Sequence, residues 1–480
     1  MMAPKKVQIY DTTLRDGMQG EGIAFSLEDK LRIAQVLDDL GVDYIEGGWP
    51  NETNPKDKDF FRRAKGITWR HARLVAFGST CRAHLKPKED SNLRHLLAAE
   101  TPTVTIFGKS WDLHVRAVLR TTLEENLRMI EDSVRFLKAE GREVIYDAEH
   151  FFDGYAANPE YALKTLQAAE AGGADLIVLC DTNGGSLPLQ VMEAIKAAQR
   201  AVSVPLGIHT HNDTGMAVAN SILAVQAGCI HVQGTFNGYG ERCGNANLCS
   251  VIPTLELKLG IRCLPQGGLQ RLTEVSRLIS ELANLPHDHR QPYVGASAFA
   301  HKGGAHIDAV RKEPRTFEHI PPETVGNQRR ILVSEMSGTS TLLWKLESLF
   351  PQMDKRDPRL VELLLELKEL EHQGYQFEGA EGSFYLLAQQ RLHPNYRPPF
   401  ELVSFRVVSG HDRRYGAQYA EGTVRVRVGE EERYTVGEGN GPVNALDMAL
   451  RKALLEFYPE LEGIQLVDYK VRVLNGEAGT

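Results

Sequence analysis

The sequence predicts an α/β protein built as an amino-terminal (β/α)8 (TIM) barrel, followed by mostly helical linker segments and a small carboxy-terminal α+β module. Three observations predict it. Eight short apolar runs recur through residue 285, each followed by a turn and an amphipathic helical pattern. Polar and small residues recur at one point of each unit, the end of the strand. Near the carboxy terminus the hydrophobic period switches from helical to alternating.

The strands are expected at 7–10, 42–46, 73–77, 104–107, 143–146, 176–179, 206–208 and 230–233. Ser26 with Asp29 opens a helix that closes at Gly41. Thr122 with Glu125 reads as a capping box, and Leu123, Leu127, Ile130, Val134 and Leu137 follow at helical spacing. Eight such units in roughly 250–290 residues match the size of a closed barrel, whose active site is built at the carboxyl ends of the strands. An open doubly wound sheet is the alternative, but no G-x-G-x-x-G turn follows the first strand. The expected organisation is a catalytic barrel over 1–285, a linker over 286–395 that opens with Pro286, Pro292 and Gly295, and a terminal module over 396–480. In that module Thr423-Val424-Arg425-Val426-Arg427-Val428 sets valines on one face and arginines on the other. A helix with Pro442 in its first turn follows, and 469–474 reads as a last strand.

A net charge of −8 with no basic stretch argues against a nucleic-acid surface. No apolar run approaches the ~18 residues that span a bilayer, and 1–6 lead straight into a strand, which argues against a secretory leader. The six cysteines form no C-x-x-C pair and read as reduced thiols of a cytoplasmic protein.

The chemistry is carried by the strand ends. His209-x-His211 lies on a strand, so both imidazoles face one side and can reach one ion. Asp16, at the tip of the first strand, adds a carboxylate and leaves positions open for substrate oxygens. Asn245 offers an amide oxygen to the same ion, or else caps a helix. Arg15 stands beside Asp16 as a fixed cation for a carboxylate or for an oxygen that gains charge. Glu149 and Thr182, at the fifth and sixth tips, suit a substrate carboxylate and water, or a structural role. His301, in Ala300-His301-Lys302-Gly303-Gly304-Ala305-His306, is a candidate general base on a glycine-rich loop.

Together these residues resemble the 2-isopropylmalate, homocitrate and citramalate synthase family. The resemblance rests on Asp11-Thr12-Thr13-Leu14-Arg15-Asp16-Gly17-x-Gln19, His209-Thr210-His211-Asn212-Asp213, Gly240-Glu241-Arg242-x-Gly244-Asn245-Ala246 and Phe299-Ala300-His301-x-x-Gly304-x-His306. It implies a metal-dependent Claisen condensation of acetyl-CoA with a 2-oxo acid, followed by thioester hydrolysis. It implies Asp16, His209, His211 and Asn245 at a divalent cation (Zn, Mn, Co or Mg), Arg15 on the 2-oxo group, and Gln19, Glu149 and Thr182 at the oxo acid. His301, assisted by Glu318, corresponds to the base that deprotonates acetyl-CoA. Tyr44-Ile45-Glu46-Gly47-Gly48-Trp49-Pro50, Thr105-Ile106-Phe107-Gly108-Lys109-Ser110-Trp111-Asp112 and the run from Tyr146 to Gly154 are similar to the citramalate synthases of that family. They imply pyruvate as the oxo acid and a place in isoleucine biosynthesis. Trp49, Phe107 and Trp111 would narrow a pocket that they lined, and core packing is the equal alternative.

Two departures stand out. Phe317 sits where many relatives carry tyrosine, and the terminal module matches one of the two pseudo-repeated halves of the family's regulatory domain. That domain implies a homodimer and an end-product effector, isoleucine or leucine. The alternatives are a synthase for 2-oxoisovalerate or 2-oxoglutarate, a 3-hydroxy-3-methylglutaryl-CoA-lyase-like enzyme, and a non-catalytic sensor.

Overall fold

A computed structural model describes residues 5–333, 337–354, 356–412, 417–466 and 469. It divides into two compact units, residues 1–301 with 313–330, and residues 302–312 with 331–480.

The first unit is a closed, all-parallel barrel in sequence order: β1 (Gln8–Asp11), β2 (Tyr44–Gly48), β3 (Arg73–Ser79), β4 (Thr103–Lys109), β5 (Glu143–Glu149), β6 (Leu176–Asp181), β7 (Leu206–Thr210) and β8 (His231–Gly234). β1 and β8 close the ring, with Gln8 opposite His231 and Asp11 opposite Gly234. Several strands run further toward the carboxyl end than their apolar runs predict. The β4–β5 ladder continues through Phe107 opposite Asp147 to Lys109 opposite Glu149. These tip residues are therefore held on rigid strands rather than on loops.

The helix ends follow from local chemistry. Ser26 and Asp29 cap each other reciprocally, and Gly41 ends that helix with a φ of 97°, a left-handed turn that glycine adopts without strain. The second expected capping box is only half formed. Thr122 accepts from the Glu125 N–H at 3.1 Å, but the Glu125 carboxylate is committed to Arg128 and to the His84 N–H.

The helices wrap the barrel in a core that includes Ile33, Leu37, Val104, Ile130 and Ile208. Inside the ring, below the strand tips, Tyr10, Tyr44 and His231 form an aromatic layer with ring centroids 5.3–5.9 Å apart. This plug closes the floor on which the site stands.

In the second unit, helices Thr339–Leu346, Pro358–His372 and Glu381–Leu392 share a core of Leu342, Leu363, Leu367, Phe384 and Ala388. A three-stranded antiparallel sheet follows, β9 (Glu401–Asp412), β10 (Ala417–Val428) and β11 (Glu431–Gly439). Val424 and Val426 pack on Ala449 and Ala453 of helix Pro442–Leu454, while Arg425 and Arg427 project oppositely toward Glu432. The strand expected at 469–474 lies outside the described residues, apart from Tyr469. No helix among the described residues is long and apolar enough to cross a membrane.

His231 makes the barrel acid-sensitive. Burial pushes its pKa from 6.5 down to about 3, so it stays neutral in the folded state while the unfolded chain takes up a proton near 6.5. Its contribution is complete above pH 6.5 and is lost as pH falls from there toward 3, at about 1.4 kcal/mol per pH unit. Unfolding free energies from urea titrations should fall more steeply with acid in the wild type than in His231→Asn between pH 6 and 4.

Candidate active site

The ends of β1 and β7 bring Asp16, His209 and His211 together in the mouth of the barrel. All three are buried. The His209 and His211 Nε2 atoms lie 3.5 and 3.8 Å from Asp16 Oδ2, and one ligand atom from each residue falls within 4.8 Å of the others. These separations are long for hydrogen bonds. They suit donors that share an ion, because two ligands each about 2.1 Å from a cation stand at most about 4 Å apart. Asp16 Oδ1 and His211 Nδ1 are buried without a hydrogen-bond partner among the described residues. Burial raises the proton affinity of Asp16, but Arg15 and the two histidines more than offset it and hold the carboxylate below its usual range. Burial pushes His211 down to about 4 and lowers His209 as well. The group therefore presents two neutral imidazoles and one carboxylate, the protonation state a divalent cation requires.

Asn245 stands beside this group. Its Nδ2 donates to the Tyr239 carbonyl at 3.2 Å, and its Oδ1 is buried without a partner among the described residues. It does not cap a helix. That role falls to Asn247, whose side chain accepts from the Cys249 N–H. Gly240, at a φ of 147°, is required here, since a Cβ would strike the Asn245 amide.

Arg15 is held rather than free. Its Nε donates to Glu46 Oε1 at 2.5 Å, and its guanidinium carbon lies 3.8 Å above the centre of the Phe77 ring. Burial works against the charge, and Glu46 with Asp16 outweighs it. Glu46 is wholly buried and also accepts from Thr12 Oγ1 and the Tyr10 hydroxyl.

Above the cluster lies a cavity of about 200 Å³, whose wall includes Arg15, Asp16, Gln19, Glu149, Thr182, His209 and His211. Seven of the residues singled out from sequence thus share one space. Trp49, Phe77 and Phe107 form an aromatic side to it, with Phe77 and Phe107 stacked and Trp49 edge-on to both. Trp49 is anchored by Nε1 on Asn92 and by its N–H on Asp57, which also pairs with the fully buried Lys30. Trp111, expected as a possible third aromatic, does not line the cavity and stacks on His114 instead. Glu149 pairs with the Lys109 ammonium, and Thr182 Oγ1 accepts from the His150 N–H at 2.9 Å.

His301 and Glu318 form a buried pair, Nε2 to Oε1 at 3.0 Å, outside the wall of this cavity. Arg329 grips the same carboxylate through two contacts of 2.6 Å. Burial raises the proton affinity of Glu318, and Arg329 and His301 together bring it below the ordinary value.

Three family models match: HMGL-like over residues 6–279, homocitrate synthase post-HMGL domain-like over 293–374, and the LeuA allosteric (dimerisation) domain over 378–480. The chain is 54% identical to the (R)-citramalate synthase of Geobacter sulfurreducens, over 99% of this chain and 89% of that protein. It is also 54% identical to the (R)-citramalate synthase of Aquifex aeolicus, over 99% and 90%. The chain belongs to the (R)-citramalate synthase family. The solved structure of Bacillus subtilis HMG-CoA lyase shares its barrel, with a TM-score of 0.52 over 60% of this chain and 97% of that one, at 22% identity.

Within this synthase chain, sequence reasoning gave no role to Glu46, Asp147, Gln233, Phe77 or Arg329. The signal for Asp147 was present. Asp147 and Glu149 are two apart on β5 and face one side, the spacing that singled out the two histidines. Glu46 carries no local signature, because its function comes from Arg15, which is 31 residues away. Replacing Glu46 with Gln removes the countercharge of a buried guanidinium. Thiol release from acetyl-CoA should fall at least tenfold in kcat/KM, with the helical circular dichroism unchanged.

Proposed function

We propose that this chain condenses acetyl-CoA with pyruvate and hydrolyses the resulting thioester to (R)-citramalate and CoA. The observation that carries the reading is the cavity, small and aromatic on one side, cationic and metal-suited on the other. It offers room for a methyl group against Trp49, Phe77 and Phe107, and polar partners for an adjacent keto-carboxylate. Sequence identity to (R)-citramalate synthases over nearly the whole chain supports the same substrate.

Asp16, His209 and His211, with Asn245 beside them, would hold a divalent cation; Zn, Mn, Co and Mg all suit one carboxylate and two imidazoles. Such a cation supplies Lewis acidity toward the keto oxygen and carboxylate of the oxo acid. Arg15, fixed by Glu46, donates to the keto oxygen and stabilises it as it becomes an alkoxide. Thr182 accepts from the His150 N–H, which leaves its own hydroxyl proton for the substrate carboxylate. Glu149, with its charge balanced by Lys109, orders the oxo acid and water, and Gln19, in the cavity wall, contacts the oxo acid.

His301, oriented by Glu318, takes a proton from the acetyl methyl group. The resulting carbanion forms the new bond to C2 of pyruvate as the C=O π bond opens to an alkoxide, which takes a proton from water while His301 returns its proton to solvent. Water then adds to the thioester carbonyl, and CoA leaves as the thiol. We assign pairing of two copies and the response to an end-product amino acid, isoleucine or leucine, to the module over 378–480. The expected location is cytoplasmic.

The test is thiol release by the metal-loaded protein with pyruvate, 2-oxobutyrate, 2-oxoisovalerate and 2-oxoglutarate in parallel. Pyruvate should give the highest kcat/KM. A higher value for 2-oxoisovalerate would make the chain a 2-isopropylmalate synthase. If the aromatic side sets the size limit, Trp49→Ala should shift specificity toward 2-oxobutyrate and away from pyruvate by about tenfold or more, measured as a ratio of kcat/KM values. That is the scale on which a pocket weighs one methylene.

A further inference from the structure

Behind the ligand group lies a hydrogen-bonded chain that joins three strands across the barrel interior. His209 Nδ1, on β7, stands 3.0 Å from Gln233 Oε1, on β8. Gln233 Nε2 donates to Asp147 Oδ1, on β5, at 3.0 Å. Gln233 is wholly inaccessible to solvent, and Asp147 and His209 are nearly so. Water therefore cannot reach Gln233, the middle member, while Asp147 and His209 also border the cavity.

The direction of the chain matters. An amide has one donor end and one acceptor end. With Nε2 spent on the aspartate, Gln233 turns its oxygen to His209. His209 must then carry its proton on Nδ1, which leaves the Nε2 lone pair directed at Asp16. If the amide turned over, its NH2 would face the imidazole, move the proton to Nε2 and block that ligand atom.

We infer that Asp147 and Gln233 are positioning residues that fix the tautomer of His209, and so set the cation affinity of the Asp16, His209 and His211 group. This rests on the reading of that group as a cation site. Asp147 does so through a hydrogen bond, not through its charge. His211 Nδ1 has no such partner among the described residues.

The test uses the full chain stripped of metal and titrated with Co(II), read by visible d–d absorption, with no substrate present. Outer partners of metal-bound histidines are worth about 10- to 100-fold in affinity. Asp147→Leu and Gln233→Leu should each weaken Co(II) binding on that scale. Asp147→Asn, which keeps an acceptor for Gln233, should stay within threefold of the wild type. In the double variant Asp147→Leu/Gln233→Leu the second change should add less than threefold, because the two residues act as one chain. Asp147→Ala replaces Asp147→Leu if the leucine variant does not fold by circular dichroism. Wild-type affinity in both single variants, equal losses in Asp147→Asn and Asp147→Leu, or fully additive losses would each overturn the relay. A wild-type protein that gives no d–d band would instead overturn the cation site itself.

Discussion

The mouth of the barrel depends on one buried carboxylate. Glu46 has no access to water, and its two oxygens are taken up by the Arg15 guanidinium, the Thr12 hydroxyl and the Tyr10 hydroxyl. A buried charge survives only when it is paired and fully hydrogen-bonded. Here the pairing also joins β1 to β2 at the level where the chemistry begins. Arg15 in turn lies over Phe77 and beside Asp16, so the aromatic side of the cavity and the ligand group share one fixed cation. Loss of Glu46 would loosen both sides of the cavity together.

The barrel turns a one-dimensional pattern into a three-dimensional cluster. Residues two apart on a strand face the same way, and a parallel barrel brings all its strand tips to the same end of the ring. His209 with His211 and Asp147 with Glu149 are two uses of this rule. Longer side chains then cross the interior. Gln233 reaches Asp147 three strands away, and the Tyr10 hydroxyl reaches Thr105 on β4. Glu46 and Gln233 lie beneath the strand tips with no exposure to water.

The fold and the clustering of Asp16, His209 and His211 were legible in the sequence because both rest on local signals: strand–turn–helix periodicity and the spacing of two histidines on a strand. Asp16 was legible because it lies in the turn that ends the first strand, five residues past Asp11. The rest depends on contacts between distant segments. Glu46 and Gln233 look like ordinary strand residues until Arg15 and Asp147 are brought beside them. Asn245 and Asn247 are equally plausible caps by composition, and only the backbone of the loop after β8 separates their roles. Trp49 and Trp111 are both tryptophans close to strand tips, yet the Asn92 and Asp57 contacts turn one into the cavity while His114 draws the other away. The half-formed cap at Thr122 has the same cause, a nearby arginine that outcompetes the backbone for Glu125.

The ring closes where β8 meets β1, and the ligand group straddles that seam, with Asp16 on one side of it and the histidines and Asn245 on the other. An ion held there is a clasp as well as a reagent. Donors on both sides of the seam converge only when the first and last strands have met, so an ion that used all of them would favour the closed ring. Metal supply and barrel integrity are then one equilibrium.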